Sequence, residues 1–285
     1  MTLNSLAAIF SVFVVSPALL SNLSSCSISK SEQSVSIPKQ TIETSSLWTG
    51  QLVTQNWKNQ WGVRNEKDWG WDNLEIITDK SDRFEDIIRV HYPAGSASPN
   101  ASRRENIPLG GSQFYADLGI QPQDVLRLSY FVRFSDNFEF VKGGKLPGLF
   151  GGEGNSGGDI PDGTDGFSTR FMWRRNGEGE LYAYLPTSSD YGTSIGKGDW
   201  TFETGRWYQL EQIITLNDPE KTDGRIQVFV DGVEVVDRQN LTFRTTADLK
   251  IEGLFFSTFF GGSDSSWATP NDVYIDFADF SVSEN

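Results

Sequence analysis

Apolar and polar residues alternate with a period of two through much of this 285-residue chain. Gly, Pro, Asn or Asp bounds each alternating run, the pattern of half-buried β-strands. From Leu126 to Phe134, the residues Leu126, Leu128, Tyr130, Val132 and Phe134 form an apolar face, with Arg127, Ser129 and Arg133 opposite. Similar runs occupy Ile87 to His91, Tyr208 to Leu216, Leu254 to Phe260 and Val273 to Val282. Gln227 to Val230 and Val233 to Val236 flank Asp231-Gly232, which accepts the positive φ angles of a type I′ turn and predicts a two-residue hairpin. No long stretch has a helical period, and no repeat is evident. The expected fold is all-β, a two-sheet antiparallel sandwich of jelly-roll type.

Twenty Phe, 9 Trp and 8 Tyr can fill a sizeable core, while 28 Gly and 11 Pro supply the turns such a sandwich needs. Acidic residues outnumber Lys and Arg by 38 to 24, for a net charge of −14. That balance excludes an ordinary nucleic-acid binder, which needs a basic face. It leaves an acidic polysaccharide open, because a cleft can be locally basic on an acidic protein.

Residues 1 to 26 read as a signal peptide whose apolar run is too short for a membrane span. Leu23-Ser24-Ser25-Cys26 resembles a bacterial lipobox, so Cys26 is a candidate lipid anchor. It is the one cysteine in the chain, so an internal disulfide is impossible. Residues 27 to 45 are polar and Ser-rich, as in a tether, and 46 to 285 form one expected domain. The expected location is secreted or lipid-anchored at the cell envelope, with a monomeric state and no protein partner implied.

The strand Phe167 to Arg174 places Ser168, Arg170, Met172 and Arg174 on one face, expected to be open to a groove or to solvent. In Leu181 to Leu185, Tyr182 and Tyr184 share a face. A connecting loop of three or five residues sets Arg170 opposite Tyr182 or Tyr184, respectively, whereas a two-residue Asn-Gly turn separates them. Gly179 favours a bulged, odd loop. Abstraction of the proton α to a uronate carboxylate builds charge on that carboxylate, so cations must be aimed at it. Arg170 and Lys145 suit that role, Lys145 being framed by Gly and Pro in Lys142 to Leu149. Tyrosine can act as base or acid, its ordinary pKa of about 10 being lowered by nearby cations. Cross-strand packing would use the same arginine and tyrosines, and spacing does not separate the two roles.

Other candidates are weaker. His91 ends a strand and reads as structural. Asp159, Asp162 and Asp165 lie in the Gly-rich segment Gly151 to Gly166, whose spacing matches no calcium loop and reads as a mobile loop over the cleft. Glu178 and Glu180 straddle a turn and lack a second feature of a glycosidase pair.

Five segments together resemble polysaccharide lyase family 14: VKGGKLPGLFGG (141 to 152), GFSTRFMWR (166 to 174), GELYAYLP (179 to 186), YGTSIGKG (191 to 198) and FFGGSDSSWATP (259 to 270). The glucuronan lyases of family 20 look similar. The resemblance spans roughly residues 85 to 285 and implies a β-jelly-roll that cleaves alginate or a glucuronate polymer by β-elimination, without metal or other cofactor. It implies an active-site lysine at Lys145, serine and arginine at Ser168 and Arg170, and a tyrosine pair at Tyr182 and Tyr184. Some members carry a histidine in the loop before the GFSTR strand; here that acidic, Gly-rich loop has none, which shifts proton transfer to Tyr182, Tyr184 or Lys145. Two rival readings remain: a non-catalytic carbohydrate-binding module stacking sugars on Trp200, Trp207 and Trp267, and a glycoside hydrolase on the same fold.

Overall fold

The computed structural model describes residues 46–52, 56–80 and 82–284, and its strands follow the alternation closely. In chain order they are β1 (Ser46–Thr49), β2 (Leu74–Thr78), β3 (Asp86–Tyr92), β4 (Ser112–Ala116), β5 (Val125–Phe134), β6 (Gly143–Gly152) and β7 (Gly166–Arg174). Then come β8 (Gly179–Tyr184), β9 (Thr193–Ile195), β10 (Trp207–Thr215), β11 (Gly224–Val230), β12 (Val233–Leu241), β13 (Gly253–Phe260) and β14 (Val273–Ser283). The α-helices among the described residues are short, α1 (Trp57–Gln60) and α2 (Pro99–Glu105), as the missing helical period requires. None is long and apolar enough to cross a membrane. The expected signal peptide, Cys26 and tether lie outside the described residues, which belong to a compact unit running from 43 to 285.

Two antiparallel sheets result. Sheet A has the order β12-β11-β10-β5-β14-β3-β2, with β1 also on β14; sheet B has the order β4-β13-β6-β7-β8-β9. The predicted hairpin is β11–β12: Val230 pairs with Val233 around Asp231 and Gly232, whose φ angles are 51° and 77°. Between the sheets, Leu126, Leu128, Tyr130, Val132 and Phe134 of β5 pack in one core with Phe167, Phe171 and Trp173 of β7. Trp173 is fully buried, and truncating such a side chain to alanine costs about 3–5 kcal/mol. Two polar contacts lie within this core: Thr169 Oγ1 donates to Gln212 Oε1 at 2.6 Å, and Tyr130 Oη to Pro147 O at 3.0 Å.

The outer face of sheet B departs from the expectation. Ser168, Arg170 and Met172, expected to be open, are at most 2% exposed. The segment after β6 folds back over them, and Tyr115, Phe150 and Phe255 form a second apolar cluster on the same side. Strand alternation predicts which residues share a face but is blind to what covers it.

Candidate active site

The turn between β7 and β8 fixes which side chains meet. Arg175–Gly177 is a three-residue turn closed by Arg174 N–H to Glu178 O at 2.6 Å, with φ of 58° at Asn176 and 78° at Gly177. The odd loop pairs Arg170 with Tyr182, Ser168 with Tyr184 and Met172 with Glu180. On the other side of β7, Lys145 pairs with Met172, and the register shifts between Lys145 and Gly148. A Cβ on Gly148 would stand 1.9 Å from Thr169 O and 2.6 Å from Arg170 Cα, so glycine is required where β6 passes Arg170. These registers bring Lys145, Ser168, Arg170, Tyr182 and Tyr184 to the outer face of sheet B.

Arg170 is 2% exposed. Its Nη1 donates to Ser257 Oγ at 3.1 Å, its guanidinium lies 4.5 Å from the centre of the Phe255 ring, and Nε has no partner. Ser257 Oγ in turn donates to Gln113 Oε1 at 2.9 Å. No carboxylate contacts Arg170 among the described residues. Arg174, on the same strand face, pairs with the buried Glu180, and Arg133 on sheet A pairs with Asp276 at 2.8 Å. Burial lowers the Arg170 pKa, against the pull of Tyr115, Tyr184 and Tyr182. A buried cation held by one hydroxyl and a ring lacks the anion that normally offsets its desolvation.

Lys145 Nζ lies 2.7 Å from Met172 Sδ and 3.7 Å from the centre of the Tyr182 ring. Burial first, then Arg170 and Arg174, hold its amine well below the ordinary lysine range, with Glu180 opposing. Tyr182 is half-buried, and burial together with Tyr184 pushes its phenol up to about 12, against Arg174 and Arg170. Its ring meets that of Tyr184 edge-on at 5.8 Å. Tyr184 is only 2% exposed and accepts a hydrogen bond from Gly158 N at 3.0 Å. Ser168 is fully buried and donates to Asn155 O at 2.6 Å.

The acidic Gly-rich segment is fastened to the sheet at several points. Besides those two bonds, Tyr115 Oη donates to Gly154 O at 3.0 Å, and Lys67 pairs with Glu153 at 2.9 Å. Its aspartates serve the loop itself: Asp162 Oδ1 accepts from Thr164 N at 2.7 Å, and Asp165 Oδ2 from Asn155 Nδ2 at 2.9 Å. No group of three or more His, Cys, Asp or Glu able to hold a metal occurs among the described residues.

Of the remaining candidates, Glu180 lies on this face opposite Met172, while His91 and the tryptophans lie elsewhere. His91 stands on sheet A with Nε2 2.9 Å from Glu75 Oε1. Glu180 is fully buried against Arg174 and so does not form an open carboxylate pair with Glu178. Trp200 is buried beside Phe171 and Phe202, Trp207 donates to Asp82 on sheet A, and Trp267 covers Gly262, so the three tryptophans form no shared platform. Sequence reasoning missed Gln113, Tyr115 and Ser257. Their only signal is alternation in Ser112 to Ala116 and Leu254 to Phe260, where Phe114 and Phe256 are core and the residues between them face outward.

With this geometry in place, comparison with known proteins decides the family. The family model for polysaccharide lyase 14 matches residues 80–280. The chain belongs to polysaccharide lyase family 14. It is therefore a polysaccharide lyase, a carbon–oxygen lyase. The marine alginate lyase of this family from Aplysia kurodai is 34% identical, with a TM-score of 0.72 over 85% of this chain and 100% of that one. Alginate lyase Aly36B is 26% identical, with a TM-score of 0.66 over 84% of this chain and 93% of that one. The endo-β-1,4-glucuronan lyase of Trichoderma reesei, at 13% identity, a TM-score of 0.55 and coverage of 85% and 96%, shares the fold. No curated protein matches the chain.

Proposed function

We propose that this lyase cleaves an acidic uronate polymer on the outer face of sheet B, with Arg170 as the seat of the substrate carboxylate. The observation that carries this reading is the buried Arg170 guanidinium, which has an unpartnered Nε and no carboxylate within reach among the described residues. A uronate carboxylate supplies the missing anion, and its charge grows as the neighbouring C5 proton leaves, so the same cation binds the transition state more strongly than the ground state. Variants of Aly36B in complex with an alginate trisaccharide and a tetrasaccharide agree with a substrate of this class.

Lys145 takes the C5 proton. Its depressed pKa supplies a neutral amine with a free lone pair, and the ammonium that forms lies beside the Tyr182 ring. The electron pair of the C5–H bond becomes the C4–C5 double bond, the C4–O bond breaks, and the departing glycosidic oxygen needs a proton. Tyr182, whose phenol stays protonated to about 12, supplies it. Tyr184 and Ser168 are positioning residues that hold the segment after β6 over the sheet. The products are a new reducing end and an unsaturated uronate at the other fragment's non-reducing end.

The test is ultraviolet absorbance from that double bond, assayed across alginate, polymannuronate, polyguluronate and glucuronan. Absorbance rising on at least one polymer supports the reading, and binding to these polymers without absorbance or cleavage favours the carbohydrate-binding module. The apolar leader and the Cys26 lipobox further support export and lipid anchoring. Radiolabelled palmitate incorporated into wild type but not into Cys26→Ala is the expected result.

A further inference from the structure

We infer that Trp69 is a sugar-stacking platform at one end of a row of side chains that crosses sheet B at right angles to its strands; this deepens the lyase reading and rests on it. Residues 67–69 run beside β4 as an added edge segment. Trp69 N donates to Gln113 O at 3.0 Å and Gln113 N to Trp69 O at 2.9 Å, a directly opposed antiparallel pair. Opposed residues share a face, so Trp69 joins Gln113 on the outer side. Gln113 pairs with Ser257, which Arg170 reaches across β6, and Arg170 pairs with Tyr182, which pairs with Ser194. The row from Trp69 to Ser194 thus crosses six strand intervals, roughly 29 Å at about 4.8 Å each.

Trp69 is half-buried, so part of its ring faces solvent, and Phe259 backs it with ring centres 5.7 Å apart. Phe259 lies directly opposite Lys145, which ties this aromatic pair to the proposed base. No side-chain hydrogen bond from the Trp69 indole N–H occurs among the described residues, leaving it available to a sugar hydroxyl. An amphipathic ring of this kind at one end of a polar row suits the apolar face of a pyranose, with the indole N–H as its polar handle. The ligand class is a uronate oligosaccharide whose carboxylate is held at Arg170 and whose chain extends past β13 and β4. Trp69 lies about 19 Å from Arg170 by strand count, four intervals away. A trisaccharide anchored at Arg170 falls short of it, and longer chains reach it.

The Lys145→Ala enzyme, which binds without turnover, is titrated calorimetrically with a uronate trisaccharide and with a long oligouronate, with and without Trp69→Ala or Trp69→Phe. The expected result is a roughly three- to tenfold loss of affinity for the long ligand in Trp69→Ala, most of it restored by Trp69→Phe. Trisaccharide affinity should not change. An equal loss on both ligands, or no loss on the long one, overturns the platform. The wild-type absorbance assay keeps the two ideas apart. An active wild type without a length-dependent loss overturns the platform alone, and a wild type inactive on every uronate polymer overturns the lyase reading with it.

Discussion

Lys145 and Met172 face each other across the β6–β7 ladder, with the amine nitrogen 2.7 Å from the thioether sulfur. A thioether is a weak acceptor that compensates an ammonium poorly, so this contact belongs to a neutral amine. Lys145→Ala is accordingly expected to lower kcat by a hundredfold or more, the scale of losing a general base. The folding transition should persist, because the Gly and Pro residues around position 145 hold the strand. Activity within about threefold of wild type removes Lys145 from the mechanism.

The pH profile follows from the same amine. Burial and the cations Arg170 and Arg174 on β7 push the Lys145 pKa down, and Glu180 on β8 pushes it up; the Tyr182 ring lies beside the amine. The base is neutral above its depressed pKa, so kcat/KM should rise as pH rises through that value. Tyr182 keeps its proton to about 12, so activity should persist well into the alkaline range. An optimum on the acid side, with activity falling as pH rises through neutrality, contradicts both assignments.

The tyrosines should separate under single substitution. Tyr182→Phe removes the proton donor and should lower kcat by roughly a hundredfold or more. Tyr184→Phe removes the acceptor of the Gly158 N–H and should cost about 1 kcal/mol of stability, with a smaller effect on kcat. Steady-state kinetics and thermal melts on both variants check this, and the reverse ranking exchanges their roles.

Glu180→Ala tests whether that carboxylate is structural. Its Oε1, on a fully buried carboxylate, accepts at 2.8 Å from Nε of the partly buried Arg174, and removing it leaves that guanidinium without its anion. A loss of about 3–5 kcal/mol on denaturant titration is expected. Unchanged stability with abolished turnover would instead mark Glu180 as a chemical participant.

Much of this was legible in the chain because strand alternation is a local signal. Leu126 to Phe134 became β5, Asp231-Gly232 became the β11–β12 turn, and Arg170 and Tyr182 came opposite each other once the turn proved odd. The burial of Ser168 and Arg170 was not legible, since it depends on a loop folding back over the strand that follows it. Nor were Trp69, Gln113 and Ser257, which come from three distant segments and meet only through strand order. Helix α2 did carry a local signal that periodicity missed. Ser98 caps it by accepting from Ala101 N at 3.2 Å, and Pro99 occupies its first turn.

The most direct measurement of β-elimination at Arg170 is the ratio of unsaturated ends to new reducing ends, followed on the uronate polymer that wild type degrades. The account predicts one unsaturated end for every new reducing end, and loss of both together in Arg170→Ala. Reducing ends accumulating without ultraviolet absorbance would contradict it and make the enzyme a hydrolase.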